Sequence, residues 1–169
     1  MRGTFGALWG VSGVLLLLGS AVYRLAPLAV DAFTHELAWH HWAVLVFFVL
    51  FMAYAEGYVG FQQRFSPRVA ARARYLKEHP RTILVLLAPF FCMGYFHATR
   101  RRQITSLSLT VGIILLIILV RFLPQPWRGI VDAGVVIGLA WGMISLLIFS
   151  VQAFGEGSFP YSPEVPEER

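Results

Sequence analysis

The chain has 169 residues, of which 57% are apolar and only 14% are charged, about half the charged share of a soluble domain. A soluble fold of this length could not bury so much apolar surface, so the composition excludes a soluble globular enzyme and a disordered chain and indicates a polytopic membrane protein. The single cysteine, Cys92, excludes an intrachain disulfide and a thiolate metal cage. The net charge is +5, and nine of the fourteen basic residues lie between Arg64 and Arg102.

Four apolar segments are each long enough to cross a membrane. A helix needs about 20 apolar residues to cross about 30 Å of hydrocarbon. The segments that meet this requirement are residues 5–22, 39–61, 104–123 and 130–154. They predict an all-α, helical membrane domain over residues 1–154. The first segment is long for a signal peptide and lacks a clear cleavage site, so we expect it to be retained as a span.

A basic helix is predicted over residues 66–79, directly after the second span. It opens with a Ser-Pro pair, which suits a helix start, and Pro80 prevents its continuation. The cationic residues that flank its narrow apolar stripe are Arg68, Arg72, Arg74 and Lys77. This pattern is typical of a helix that lies in the headgroup plane and contacts anionic lipid. The alternative is a cytoplasmic extension of the second span that only satisfies the orientation rule.

The segment 83–98 is too short for an ordinary span, and we expect Pro89 to interrupt it. Its sixteen residues would reach only about 24 Å as a helix. Arg81 precedes the segment and three consecutive arginines follow it, so a crossing would place the triplet on the outer side, against the positive-inside rule. We therefore expect a re-entrant segment and two cytoplasmic termini. The alternative is a fifth span with an external carboxyl end.

The carboxyl-terminal residues 155–169 contain three prolines and four glutamates. Such a composition buries little apolar surface and predicts a disordered, acidic tail.

The two ends of the chain resemble each other, which suggests an internal repeat. The matching pairs lie about 100 residues apart: Arg24 and Arg121, Pro27 and Pro124, Val30-Asp31-Ala32 and Val131-Asp132-Ala133, Leu37-Ala38-Trp39 and Leu139-Ala140-Trp141, and Glu56-Gly57 and Glu156-Gly157. The repeats would be inverted if 83–98 crosses the membrane and parallel if it does not. Chance similarity between apolar hairpins is the alternative.

Two glycine stripes offer close helix packing. They are Gly6, Gly10 and Gly13 in the first span and Gly134, Gly138 and Gly142 in the last. Small residues let helix backbones approach each other where lipid gives no hydrophobic drive. The stripes predict either a homo-oligomer interface or packing within one chain.

Glu56 lies inside the second apolar segment, between Tyr54 and Tyr58. A carboxylate in hydrocarbon costs about 2.5 kcal/mol or more unless it is protonated, paired or hydrated. This cost makes Glu56 a candidate for substrate binding and for proton or cation coupling. The alternative is a position at the membrane boundary, where Glu56 would pair with Arg64 or a neighbouring arginine.

His97 and the triplet Arg100, Arg101 and Arg102 form a cationic cluster beside an apolar segment. Guanidinium groups bind phosphate oxygens in pairs, so the cluster suits a phospholipid head group, a phosphorylated lipid or another anionic substrate. The alternative is simple anchoring of the next span. Nucleic acid is not an expected partner, because the basic residues border spans and no soluble module is present.

The histidines suggest a redox cofactor only under one topology. If 83–98 crosses the membrane, His97 reaches the same side as His40 and His41 and could share a haem with them. Since we expect a re-entrant segment, we expect no cofactor and no metal.

No nucleophile elbow, P-loop or dinucleotide fingerprint is present, which favours a non-enzymatic protein. The sequence predicts a small transport or accessory protein, multi-pass in a bacterial inner membrane, that engages anionic lipid or solute at the cytoplasmic face. The alternatives are a membrane-embedded enzyme that acts on a lipid or phosphorylated lipid, and a haem- or quinone-associated redox subunit.

Overall fold

The computed structural model describes residues 2–155 and 157–166. Within these residues the chain is helical and contains no strand. The α-helices are α1 (Arg2–Asp31), α2 (Trp39–Met52), α3 (Ser66–Glu78), α4 (Thr82–Leu86), α5 (Ala88–Met93), α6 (Arg100–Val120) and α7 (Trp127–Phe154). A 3-10 turn, Ala32–Thr34, follows α1, and a π-helical stretch, Ala53–Phe65, joins α2 to α3 without a break.

Four helices are long and apolar enough to cross a membrane: Arg2–Thr34, Trp39–Glu78, Arg100–Val120 and Trp127–Phe154. This result confirms the all-helical class within the described residues and the count of four full-length helices. Two of the helices are longer than predicted. The first continues through Pro27, and the second includes the segment that we expected to be a separate basic helix.

The helices pack with α7 in the centre, between α1 on one side and α2 and the π-helical stretch on the other. The start of α1 lies against the end of α3, because a Cβ on Gly3 would meet the Lys77 carbonyl group. The end of α7 is at the same place, with Lys77 Nζ 5.9 Å from the centre of the Phe154 ring. We call this end of the bundle the arginine end. The half of the bundle next to it, which we call the arginine half, contains the basic residues of α3 and the start of α6.

The opposite end, which we call the loop end, holds the turns between α1 and α2 and between α6 and α7. Gln125 Nε2 donates to Asp31 Oδ2 over 3.0 Å, and a Cβ on Gly129 would lie 2.5 Å from Ala32 Cβ. Both long hairpins therefore run from the arginine end to the loop end and back. The internal repeat stays a prediction; if it is real, its two hairpins have the same direction, and Glu156 of its last matching pair lies outside the described residues.

Both glycine stripes are occupied by the chain itself. Gly10 and Gly13 of α1 face Cys92 and Pro89. Gly134 and Gly142 of α7 face aromatic rings of α2 and the π-helical stretch, while Gly138 faces Glu56. The packing alternative therefore accounts for both stripes, and an oligomer through Gly6, Gly10 and Gly13 or through Gly134, Gly138 and Gly142 would first have to open this packing.

The segment 83–98 forms two short helices that break at Leu87, not at Pro89. Pro89 lies in the first turn of α5, where a missing N–H is tolerated, and Gly94 ends α5 in the left-handed conformation at φ 84°. The two helices follow α1 only from Gly6, beside Val85, to Gly13, beside Pro89. They begin and end in the arginine half of the bundle and form no fifth full-length helix.

The basic helix α3 is a core element rather than a surface helix. Its apolar residues Val69, Ala73 and Leu76 have no exposed surface and pack with residues of α1, α5 and α7, including Phe91 and Leu146. The apolar stripe that we predicted is real, but it meets other helices instead of a lipid interface. Ser66 does not cap α3; its hydroxyl group hydrogen-bonds to Ser145 Oγ over 2.7 Å.

The carboxyl-terminal segment is docked where the structure describes it, which corrects the prediction of a disordered tail for residues 159–165. The Phe149 and Tyr161 rings pack edge to face at 5.6 Å, the backbone N–H of Thr99 donates to the Glu164 carbonyl oxygen over 3.1 Å, and Val165 packs on the core. The segment docks because its aromatic and aliphatic side chains find apolar partners. Met1, Glu156, Glu167, Glu168 and Arg169 lie outside the described residues.

Candidate functional site: an arginine cluster and a mid-bundle carboxylate

Arg72 of α3 is the centre of the arginine half and is only 1% exposed. Its Nε donates to the Phe91 carbonyl oxygen over 2.6 Å, and its Nη1 donates to the Pro163 carbonyl oxygen over 2.7 Å. Its Nη2 donates to the carbonyl oxygens of Phe96 over 3.0 Å and His97 over 2.9 Å. One guanidinium group therefore joins α3, the end of α5, the following loop and the tail.

The ring of Phe91 adds a cation–π contact, with its centre 4.2 Å from the Arg72 guanidinium carbon. A buried guanidinium group needs such partners, because an unpaired charge in a low-dielectric interior is very costly. The surface role that we predicted for Arg72 is therefore corrected. Its donors are directed at carbonyl groups of its own chain and are not available to lipid head groups.

Arg102 lies next to this joint and is less well satisfied. Its side chain is 11% exposed, and its Nε is 3.9 Å from Glu164 Oε2, which is too long for a hydrogen bond. Within the described residues this buried Nε has no hydrogen-bond partner. The positive charge of Arg68 and the carboxylate of Glu164 both act on Arg102, and Glu164 also acts on Arg72. The sequence does not identify Glu164 as a partner of Arg102, because no sequence feature distinguishes it from the other three glutamates of residues 155–169.

The other members of the triplet, Arg100 and Arg101, are exposed at the start of α6. They differ from Arg102 because successive residues on a helix point to different sides. The triplet is therefore divided: one arginine faces the tail, and two face the surroundings.

His97 adopts a left-handed backbone conformation with φ 47°. Its carbonyl oxygen accepts from Arg72, and its Nε2 is buried without a hydrogen-bond partner in the described residues. The side chain lines a groove of about 490 Å³ together with Arg81, Thr82 and Phe96. Of the predicted cationic cluster, the structure therefore places His97 in contact with Arg72, and Arg102 near enough for its charge to act on Arg72. Arg72 itself was predicted for the lipid interface and not for this cluster.

The remaining predicted lipid-interface residues differ in their partners and their exposure. Arg74 Nε pairs with Glu78 Oε1 over 3.0 Å, while its Nη1 is buried without a hydrogen-bond partner in the described residues. Lys77 is exposed, and Arg68 is half-buried. Of the four predicted interface residues, Lys77 is the most open to the surroundings.

Glu56 occupies a different part of the bundle. It belongs to the π-helical stretch and is exposed. A Cβ on Gly138 would lie 3.1 Å from Glu56 Cβ, which places Glu56 about 11 residues, or about 16 Å, along α7 from the loop end. Within the described residues no ion pair joins Glu56 to Arg64. Glu56 is therefore a mid-bundle carboxylate rather than a boundary residue.

A polar contact holds the π-helical stretch against α7 next to Glu56. Trp141 Nε1 donates to Gln62 Oε1 over 2.8 Å, and a Cβ on Gly57 would come within 3.0 Å of the Trp141 side chain. Pi-helical segments occur frequently at functional sites. The sequence does not reveal this segment, because hydrophobic periodicity distinguishes an α-helix from a strand but not an α-helix from a π-helix.

The histidines of the redox alternative lie far apart. His40 and His41 begin α2 at the loop end, where the centre of the His41 ring is 4.8 Å from that of Trp127. His97 is at the level of Arg72, about 30 residues and about 40 Å further along the continuous helix. A haem bridging the two groups does not fit this arrangement. In the described part of the chain, no three His, Cys, Asp or Glu residues are grouped as a metal site would require.

Cys92 is buried beside Gly10, and burial raises the pKa of its thiol to about 12. The nearby positive charge of Arg72 only partly opposes this effect. A thiol that stays protonated at neutral pH is a poor nucleophile and a poor metal ligand. Cys92 is therefore a packing residue.

No family model, curated protein or solved structure matches the chain.

Proposed function

We propose that the protein is a four-span accessory or transport protein of a bacterial inner membrane that binds anionic head groups at its arginine end, on the cytoplasmic side. The observation that carries this proposal is the surroundings of Arg100 and Arg101. Both are exposed, and they begin a helix whose residues 111–119 are exposed on every side. An apolar helical segment that is exposed on every side, as residues 111–119 are, is stable only in hydrocarbon or against another apolar surface.

The arrangement of charge supports headgroup binding. If hydrocarbon surrounds α6, the residues at its start lie at the level of lipid phosphates, and guanidinium groups bind phosphate oxygens in pairs. Lys77 and Arg81 are exposed in the same half of the bundle. The concentration of cations at this end favours a cytoplasmic location under the positive-inside rule.

Arg72 and Arg102 have a separate role in this proposal. Arg72 is committed to carbonyl groups, and Arg102 faces Glu164, so lipid contact falls to Arg100 and Arg101. Removal of the two exposed arginines should therefore weaken lipid binding without disturbing the core.

The test is lipid retention by the purified protein. The protein is exchanged into mild detergent containing equal amounts of phosphatidylglycerol and phosphatidylcholine, and bound lipid is counted by native mass spectrometry. We expect the parent protein to retain several times more phosphatidylglycerol than phosphatidylcholine. The double variant Arg100→Gln, Arg101→Gln should lose this preference. The matched control Arg74→Gln, which removes a guanidinium group already paired with Glu78, should keep it.

Equal retention of the two lipids by the parent protein would contradict the proposal, and so would an unchanged preference in the double variant.

A second candidate, ion-coupled transport, is favoured by one observation, the exposed mid-bundle carboxylate of Glu56. Its test is proton-dependent flux of an anionic solute into reconstituted vesicles. Flux that survives in Glu56→Gln would remove the coupling role.

A further inference from the structure

Helix α6 is attached to the rest of the chain at its two ends and is bare between them. Near the arginine end, Ser106 Oγ donates to the Met93 carbonyl oxygen over 3.0 Å, and Thr110 Oγ1 hydrogen-bonds to Tyr95 Oη over 2.6 Å. At the loop end the connection to α7 is tied to α1 through Gln125. From residue 111 to residue 119 every side chain is exposed.

Three small residues of α6 lie on the side of the helix that faces away from its own chain. Thr105, Ser108 and Gly112 follow one another at intervals of three and four residues and therefore form one stripe. At about 100° per residue, this stripe is about 140° around the helix from the side that carries Ser106 and Thr110. Thr105 and Ser108 are exposed, and a Cβ on Gly112 would meet nothing within 4 Å.

Glu56 lies at the same depth as this stripe. It is about 16 Å from the loop end along α7. Ser108 and Gly112 are about 18 Å and about 12 Å from Val120, the loop-end terminus of α6. A Cβ on Gly60 would lie 3.4 Å from Glu56 Oε2, so the absence of a side chain at Gly60 lets another helix backbone approach the carboxylate closely. A hydroxyl group is a donor that a carboxylate in hydrocarbon requires.

We infer that two copies form a symmetric dimer in which α6 of each copy packs across the π-helical stretch of the other, with Ser108 and Gly112 against Glu56. A two-fold axis along the membrane normal keeps the depth of every residue, so residues at equal depth in the two copies can meet. The contact then occurs twice, as an isologous interface requires. Small residues and interhelical hydrogen bonds drive such association in membranes.

This dimer gives the Ser108–Gly112 side of α6 a protein partner and gives the exposed carboxylate of Glu56 a hydrogen-bond donor. The inference rests on membrane insertion but not on headgroup binding by Arg100 and Arg101. The two glycine stripes that we predicted as oligomer interfaces are filled by the chain itself. The inferred dimer contact lies instead at Gly112, which is open.

The test is disulfide cross-linking between two tagged copies, both carrying Cys92→Ala, expressed together in membranes. One copy carries Ser108→Cys and the other carries Glu56→Cys. In the mixed dimer one contact then holds the two cysteines, and the second keeps its native Ser108 and Glu56. We expect a linked dimer of the two tags on a non-reducing gel. The control replaces Ser108→Cys by Ile114→Cys and should give at least ten times less product. Ile114 is exposed on the opposite side of α6, about 3 Å from the depth of Gly112 and about 9 Å from that of Ser108.

Native mass spectrometry of the parent protein gives a second readout that needs no cysteine variant. We expect a dimer, and at least a tenfold weaker one in Gly112→Leu, a position where a Cβ meets no atom of its own chain within 4 Å. Equal cross-linking from Ser108→Cys and Ile114→Cys would overturn the inference. A parent protein that stays monomeric, with lipid alone on α6, would overturn it as well, whatever its lipid preference.

Discussion

Replacement of Arg72 tests how the arginine half is held together. Arg72→Met keeps a similar length and apolar stem but removes four hydrogen bonds to the carbonyl groups of Phe91, Phe96, His97 and Pro163. Hydrogen bonds to a charged group contribute about 1.5–3 kcal/mol each. Their sum is an upper limit, because the Pro163 carbonyl group can turn to water when the tail is released. Removal of one partner from a buried charged network typically costs about 3–5 kcal/mol, and we expect a loss in that range.

For a chain of this length, such a loss lowers the melting temperature by about 6–20 °C. Thermal unfolding in detergent measures it, and limited proteolysis checks whether residues 159–165 become accessible. Arg72→Lys should lie between the parent and Arg72→Met, since an ammonium group has three donors at one point instead of a planar fork. The control Arg74→Met removes a partly exposed pair between residues four apart on α3, and such a pair contributes about 0–1 kcal/mol. An Arg72→Met protein that melts within about 2 °C of the parent, with a protected tail, would refute the reasoning.

Three further predictions follow from the packing. Gly13→Ala should lower stability by about 1–3 kcal/mol, because its Cβ would overlap the Pro89 ring; Gly19→Ala, whose Cβ meets only a sulfur atom at 3.8 Å, should melt at or above the parent temperature. Deletion of residues 159–169 should lower the melting temperature, since Arg72 loses one acceptor and the core loses Val165; an unchanged temperature would contradict the docked tail. The thiol of Cys92 should stay unlabelled by maleimide between pH 7 and pH 9, because its pKa of about 12 keeps it protonated there; adduct mass measures this, and labelling that rises with pH as for a free thiol would contradict its burial.

The long helices could be predicted from the sequence, because an uninterrupted apolar run of about 20 residues has few other stable structures. The short segment 83–98 could be separated from them by length and by the arginines on both sides. Its break at Leu87 could not be predicted, because Pro89 fits the first turn of a new helix as well as it ends an old one.

The role of Arg72 could not be predicted, because its neighbours in the sequence do not reveal its partners. Arg68, Arg72 and Arg74 occupy similar positions beside one apolar stripe. Arg72 differs from the other two because it donates hydrogen bonds to the carbonyl groups of Phe91 and of Pro163 in the tail. Both bonds join residues that are far apart in the chain. The same limit applies to Glu164.

The depth of Glu56 in the bundle could not be predicted from the sequence either. Its closeness to Arg64 suggested a membrane boundary, but the helix continues to Glu78, so Glu56 falls near the middle of the long helix instead of at its end. The length of the helix Trp39–Glu78 therefore favours a mid-bundle position for Glu56 over a position at the membrane boundary.

The central claim is that four helices cross the membrane and that the arginine end, with the docked tail, lies wholly on one side. Single cysteines at Glu36, Thr99 and Ser158 in a Cys92→Ala background test it directly, with an impermeant maleimide applied to oriented membrane vesicles. Glu36 is exposed at the loop end, and Thr99 and Ser158 are exposed in the arginine half. We expect Thr99→Cys and Ser158→Cys to react from the cytoplasmic side and Glu36→Cys from the opposite side. Reaction of Thr99→Cys and Ser158→Cys from opposite sides would contradict the account.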